Sequence, residues 1–273
     1  MKKVLTIAGS DSGGGAGIQA DLKTFTSLGV FGTSVITALT AQNTVGVQGV
    51  FEVPAEFVGM QIDSVMQDIG ADSVKIGMLS NEQVIEVVAD RIKKYKMELV
   101  VLDPVMIAKS GDRLIHKDSQ KALIEMLFPL AYLITPNLYE AEVITGLKIE
   151  GVDQMKLAAK MMLKMGPKNV LVKGGHLSGE KDAIDVLVND KNTYEYISPR
   201  LKTKNTHGTG CTYSSAIAAN LAKGHNLTTA VKLAKKYIDS AIRNAKFLQI
   251  GRGYGPLNHM VNKSQISKIK NKK

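Results

Sequence analysis

Short apolar runs alternate with longer amphipathic stretches along almost the whole chain. The runs at residues 3–8, 33–39, 73–76, 98–102, 132–134 and 169–172 are rich in Val, Ile and Leu, and each predicts a buried strand. Between them, residues 16–28, 57–69, 81–95, 119–127, 138–145 and 154–164 carry apolar side chains at helical spacing. Ile18, Leu22, Phe25 and Leu28 make one such stripe, and Val84, Val87, Val88 and Ile92 another. Residues 183–188 and 193–197 alternate and predict a hairpin across 189–192. Helices over 208–223 and 228–247 complete the pattern. Strand–helix alternation with continuously apolar strands predicts an α/β fold with a mostly parallel sheet covered on both faces. No linker-like stretch or internal repeat divides the chain, so residues 1–262 are expected to form a single domain. In open sheets of this kind a ligand lies beyond the carboxyl ends of the strands. The chemistry is therefore sought where strands end.

Composition narrows the classes. At 273 residues, with 44% hydrophobic and 22% charged residues, the chain has the make-up of a globular protein with a real core. Its single cysteine, Cys211, allows no disulfide framework and fits a reducing, cytoplasmic compartment. The first apolar run meets glycines too soon for a secretion signal, and no long apolar span predicts a membrane crossing. The formal net charge is +10. Much of the excess lies in Lys263, Lys268, Lys270, Lys272 and Lys273, which reads as a solvated, flexible tail over 263–273. No nucleic-acid motif accompanies it, so no nucleic-acid partner is expected. The five histidines (116, 176, 207, 225 and 259) lack metal-ligand spacing.

Six strand-end motifs could carry chemistry. Residues 9–17 (GSDSGGGAG) form a glycine-rich turn into a helix, with Ala16 near its end. They match neither the P-loop pattern nor the dinucleotide fingerprint, so a tight turn capped by Ser or Asp stays open beside a binding loop. Gln42 leaves the second strand with two donors and an acceptor. Asp103-Pro104 closes a buried strand, either as turn chemistry or as a carboxylate for a metal or its water. Asn137 and Glu140 have capping-box spacing, and Glu140 could equally serve Mg²⁺-bound water. Lys173, before two glycines, could meet an anion or stay solvated. Residues 205–212 (NTHGTGCT) enter a helix. There the N–H groups of Gly208, Thr209, Gly210 and Cys211 could form an anion hole. Cys211 in the first helical turn is expected to have its thiol pKa lowered by the dipole, or else to be a small packed residue.

Together and in order, these motifs, with residues 75–79 (KIGML) between them, closely resemble the ribokinase-like kinases. The match is nearest to the hydroxymethylpyrimidine/phosphomethylpyrimidine kinase branch. The resemblance implies a three-layer sandwich, usually a homodimer, that uses ATP and Mg²⁺ to phosphorylate the pyrimidine's hydroxymethyl group and then the monophosphate. It implies that Gln42 reads the ring's amino edge, with Met78, Val105, Ala16 and Asp21 lining the ring pocket. It places Lys173, Asn137 and Thr206 by ATP, Glu140 and Asp103 near the metal, and Gly208–Cys211 as the catalytic anion hole. Where much of the superfamily ends this loop in an aspartate base, this chain has Cys211, as the pyrimidine branch does. Pyridoxal kinase activity is the nearest alternative. A non-catalytic nucleotide- or vitamer-binding regulator and an NAD-linked oxidoreductase are more distant ones.

Overall fold

The computed structural model describes residues 1–106, 117–175, 177 and 181–261. The central strands are apolar at successive positions because each is buried on both faces. Val35, Ile7, Ile76, Leu102, Ile134 and Val170 stand in register across six strands: β2 (Phe31–Gln42), β1 (Lys3–Asp11), β4 (Ser73–Ile76), β5 (Val100–Leu102), β6 (Leu133–Ile134) and β7 (Val170–Gly174). This row faces one core. Val4, Val101, Leu133 and Leu171 face the other. Each fully buried Ile or Leu in these rows contributes about 1.5–3 kcal/mol.

The six strands are parallel. Antiparallel β3 (Val47–Glu52) extends one edge, and β8 (Asp182–Val188) with β9 (Thr193–Pro199) extends the other, in the order β3-β2-β1-β4-β5-β6-β7-β8-β9. One helical layer holds α2 (Ala55–Asp68), α3 (Glu82–Lys94), α4 (Lys117–Ala122), α5 (Leu138–Thr145) and α6 (Val152–Leu163). The opposite layer holds α1 (Gly17–Ser27), α7 (Thr209–Ala222) and α8 (Leu227–Ala245). Helix α7 is buried from Thr212 to Ala222 because it lies between the sheet and its neighbours α1 and α8. Its small residues, Ser214, Ser215, Ala216, Ala218 and Ala219, allow that close approach. From β1 the chain pairs to one side with β2 and then crosses to β4 on the other. That reversal opens a crevice beyond the carboxyl ends of the strands.

The expected three-layer α/β architecture is present, with local differences. Strand β1 runs on to Asp11, and its register against β2 shifts between Ala8 and Ser10, where Thr37 and Ala38 of β2 stand against Gly9 alone. Strand β3 has no counterpart in the apolar pattern, because five of its six residues are exposed. The helix expected over 119–127 begins as α4 at Lys117, widens to a π-turn at Leu123–Leu127 and tightens to a 3₁₀ turn at Phe128–Leu130. Among the described residues no helix is long and apolar enough to cross a membrane. The basic tail expected at 263–273 lies outside the described residues, as do His116 and His176.

Candidate active site

The two glycine-rich segments, 196 residues apart at Asp11 and His207, meet face to face over the ends of β1 and β2. Asp11 organises the first. Its carboxylate accepts the N–H of Gly13 (2.8 Å), Gly15 (3.0 Å) and Ala16 (2.8 Å), and it also faces His207 Nε2 at 2.9 Å. Burial opposes the charge, yet His207 and the N–H groups of Ala16 and Gly13 hold the Asp11 carboxyl below its ordinary value. The cap on this turn is therefore Asp11, acting from the strand, while α1 itself has Ala16 at its N-cap and no side-chain cap. Ser12 Oγ accepts the N–H of Gln42 and donates to its carbonyl, both at 2.8 Å, clamping the loop to the end of β2.

The second segment opens α7. Gly208 has φ +80°, and a methyl group added there would come within 1.9 Å of the Gly15 carbonyl. The N–H groups of Gly210 and Cys211 have no acceptor among the described residues, as the first turn of a helix requires. Thr209 Oγ1 donates to the Thr206 carbonyl at 2.7 Å, which closes the loop before the helix.

Two strand ends converge on this helix start. Asp103, after β5, accepts from Thr135 Oγ1 at 2.9 Å and from Lys173 Nζ, on β7, at 2.5 Å. A methyl group added at Gly210 would lie 3.3 Å from Asp103 Oδ2 and 3.4 Å from Lys173 Nζ. Burial works against the Lys173 ammonium, but Asp103 and Glu140 raise its pKa above the ordinary value. Asn137 and Glu140 do form a capping box: Asn137 N–H donates to Glu140 Oε2 at 2.7 Å, and Glu140 N–H to Asn137 Oδ1 at 2.9 Å. The bond leaves Glu140 with a second reason to be there. Burial pushes its carboxyl up to about 7, with Lys173 opposing and Asp103 adding to the rise.

Among the described residues no cluster of three or more His, Cys, Asp and Glu side chains stands ready for a metal. Asp103 and Glu140, both buried and sharing the one Lys173 cation, nevertheless fit Mg²⁺, which takes one or two carboxylates and completes its shell with water and phosphate. A carboxyl with a raised folded-state pKa favours folding while protonated. That contribution is present below about 4.5 and is lost as the pH rises through about 7. Glu140→Gln is expected to flatten the fall of stability across this range, a span on the order of 1–3 kcal/mol. Thermal melts of both proteins at a series of pH values check this; parallel slopes would mean that folding leaves the carboxyl unperturbed.

The remaining expected residues are distributed as follows. Met78 is half-buried, its sulfur 3.5 Å from a methyl group added at Gly9, and its carbonyl accepts from Thr37 Oγ1. Val105 and Ala16 are half-buried at the same end of the sheet. Asp21 lies deeper than a pocket wall: it is fully buried and spends its carboxylate on Thr6 (2.7 Å), Lys75 (2.8 Å) and Ser215 (2.7 Å). The expectation for Cys211 needs correction. Burial first, then the nearby Asp21 and Asp103 carboxylates, push its thiol up to about 11 despite Lys75, so the thiol stays protonated at neutral pH.

Two residues that the sequence left without a role, His207 and Lys75, belong to this end of the molecule, as does Asp11, for which only a capping role stood open. Lys75 carried a signal, since a lysine inside the apolar run SVKI must find a buried carboxylate. The Asp11–His207 pair offered none at 196 residues' separation.

A family profile described as phosphomethylpyrimidine kinase matches residues 11–258. The hydroxymethylpyrimidine/phosphomethylpyrimidine kinase of Bacillus subtilis is 48% identical over 257 residues, covering 94% of each protein. A thiamine biosynthesis bifunctional protein of Geobacter sulfurreducens is 52% identical over 258 residues, which are 94% of this chain and 52% of that protein, so the chain spans about half of it. Among solved structures, a phosphomethylpyrimidine kinase from Clostridium difficile superposes with a TM-score of 0.80 at 50% identity, covering 89% of this chain and all of the other. The pyridoxal kinase of Bacillus subtilis, an ADP complex, superposes at 0.87 and 38% identity, covering 96% and 98%. With the ribokinase-like architecture in place and this likeness spanning nearly its whole length, the chain belongs to the phosphomethylpyrimidine kinase family and is a phosphotransferase.

Proposed function

We propose that the chain transfers the γ-phosphoryl group of ATP to 4-amino-5-hydroxymethyl-2-methylpyrimidine and then phosphorylates the monophosphate to the diphosphate, two steps of thiamine biosynthesis. The observation that supports this most is the convergence of Asp103 and Lys173 on Gly210, where two N–H groups point away from the helix. Phosphoryl transfer passes through a loose transition state with charge spread over its oxygens, so fixed donors and a cation suit it better than a strong base. Gly208, Thr209, Gly210 and Cys211 would hold the moving phosphoryl group. Lys173, Asn137 and Thr206 would position the nucleotide. Mg²⁺, reached by Asp103 and Glu140 through water, would supply charge neutralisation. Met78, Val105 and Ala16 would flank the ring and Gln42 would read its amino edge, with Asp21 supporting them from below.

Pyridoxal phosphorylation is the second reading, favoured by the superposition of a Staphylococcus aureus pyridoxal kinase bound to pyridoxal at a TM-score of 0.88 and 33% identity. Gln42 separates the two, because an unmatched buried amide costs about 1–3 kcal/mol and pyridoxal lacks the amino edge. ADP release with Mg-ATP and each of hydroxymethylpyrimidine, its monophosphate and pyridoxal decides between them. Turnover of both pyrimidines with little on pyridoxal is expected. Turnover of pyridoxal with none on the monophosphate would replace the proposal with the second reading.

We also infer a cytoplasmic homodimer with no nucleic-acid or membrane partner. Leu39, Val50, Phe51, Phe57 and Met60 are exposed apolar residues on β2, β3 and α2, a surface suited to a second copy. Light scattering giving twice the mass of the chain supports the dimer, and a monomer at micromolar concentration would exclude it.

A further inference from the structure

Gln42 is held at both ends of its side-chain amide. One end lies 3.1 Å from Thr40 Oγ1, and the other 3.5 Å from His207 Nε2. Thr40 Oγ1 is in turn 2.9 Å from the Ser10 carbonyl, and His207 Nε2 is 2.9 Å from Asp11 Oδ2. The chain of contacts therefore runs Ser10–Thr40–Gln42–His207–Asp11, from the first glycine-rich loop across the end of β2 to the second at His207, and back to the first at Asp11.

The protons along this chain can be counted. Asp11 accepts three backbone N–H groups and is an acceptor only, so the proton between it and His207 belongs to Nε2. The Ser10 carbonyl can only accept, so the single Thr40 hydroxyl proton goes to it. Thr40 Oγ1 then has only lone pairs to offer Gln42. His207 Nε2 has only the one N–H that Asp11 takes at 2.9 Å, and at 3.5 Å Gln42 shares it as the longer arm of a bifurcated bond. Both demands are met when the amide nitrogen faces Thr40 and the amide oxygen faces His207. That is a half-turn of the amide from the arrangement with Oε1 beside Thr40, and partners rather than shape distinguish the two.

We propose that Thr40 and His207 are positioning residues that fix the orientation of the Gln42 amide and thereby set which ring the site accepts. An amide has two N–H donors and two oxygen lone pairs. Thr40 uses one donor and His207 one lone pair, which leaves one of each for a ligand. A ring offering an amino N–H beside a ring nitrogen satisfies both, whereas a ring with no such pair leaves Gln42 unmatched. His207 also precedes Gly208, so the residue that orients ring recognition is continuous with the start of α7. The inference rests on the reading that Gln42 faces the substrate ring.

Two measurements test it, one of them independent of substrate. In the ligand-free protein, nuclear Overhauser contacts from the Gln42 Nε2 protons to Thr40 are expected. Contacts to the His207 ring in their place would put the nitrogen on the wrong side and overturn the proposal. In kinetics, Thr40→Val removes the acceptor at nearly constant volume. It is expected to lower the ratio of kcat/KM for hydroxymethylpyrimidine over pyridoxal roughly tenfold or more, mainly through KM for the pyrimidine. Thr40→Ser should restore the ratio. Equal losses on both substrates, with a lowered Tm, would mark Thr40 as merely structural and defeat the idea. Should the wild type fail to phosphorylate the pyrimidine, the functional reading falls, and the Overhauser contacts still decide the orientation of the amide. The same contacts decide it if Thr40→Val does not fold.

Discussion

Gly208→Ala is expected to lower kcat/KM for phosphoryl transfer by about a hundredfold or more while leaving the protein folded. Two separate costs act at this position. The backbone φ of +80° is open to glycine but costs an alanine about 1–3 kcal/mol. The added methyl group would also fall 1.9 Å from the Gly15 carbonyl, a backbone atom that cannot swing aside. Relief requires the two loops to part. Gly15 is itself pressed against His207, with a methyl group there 2.4 Å from the imidazole, so parting them disturbs the contacts to Asp11 as well. A displacement of an ångström at the start of α7 misaims the N–H groups of Gly210 and Cys211, and such a shift can cost about a hundredfold in rate. Cys211→Ala is expected to be milder, because a thiol pushed up to about 11 is not an available base at neutral pH. Steady-state kinetics on both variants, with circular dichroism to confirm folding, make the comparison. A folded, fully active Gly208→Ala beside an inert Cys211→Ala would reverse the ranking and return the central role to the thiol.

How far the sequence reaches can be seen in particular elements. The parallel strands were legible because burial on both faces makes them continuously apolar, as in Val100–Leu102. Strand β3 was not, because an edge strand with Gln48, Gly49 and Glu52 largely in solvent has no reason to alternate. Strand ends located Asp103, Asn137 and Lys173, since their position follows from the topology, whereas Gly208–Cys211 was marked by its glycines and forms the start of α7 rather than the end of β9. The pairing of Lys173 with Asp103, and of both with Gly210, did not follow, because strands β5 and β7 are neighbours only through β6. The fate of Asp21 was likewise hidden: its helical position is visible, but whether it faces a cavity or a lysine depends on the register of β1 against β4. The same ambiguity attached to Cys211, whose place in the first turn of α7 argued for a lowered pKa until burial beside two carboxylates proved stronger.

That register carries the largest stability effect. Thr6 and Lys75 stand opposite one another on β1 and β4, on the face covered by α1 and α7, where Asp21 and Ser215 complete a closed polar group. Lys75 and Asp21 are both fully buried, 2.8 Å apart. Burial opposes the ammonium, but Asp21 raises the Lys75 pKa above its ordinary value, so the ammonium persists across the neutral range. Replacing such a pair by well-packed apolar groups can be neutral, whereas removing one partner strands the other charge at a cost of about 3–5 kcal/mol. Lys75→Met is therefore expected to destabilise the protein by that amount, a large share of the roughly 5–15 kcal/mol that holds a typical domain together. Thr6 and Ser215 cannot make up the loss, since hydroxyls satisfy the carboxylate's lone pairs without neutralising its charge. Asp21→Asn should cost a similar amount by stranding the ammonium. The double variant is expected to recover more than half of the summed loss, because neither charge is then left alone. Urea unfolding of the four proteins closes the cycle. Strict additivity of the two losses would show that the ion pair contributes nothing, and that Lys75 and Asp21 are held in place by packing alone.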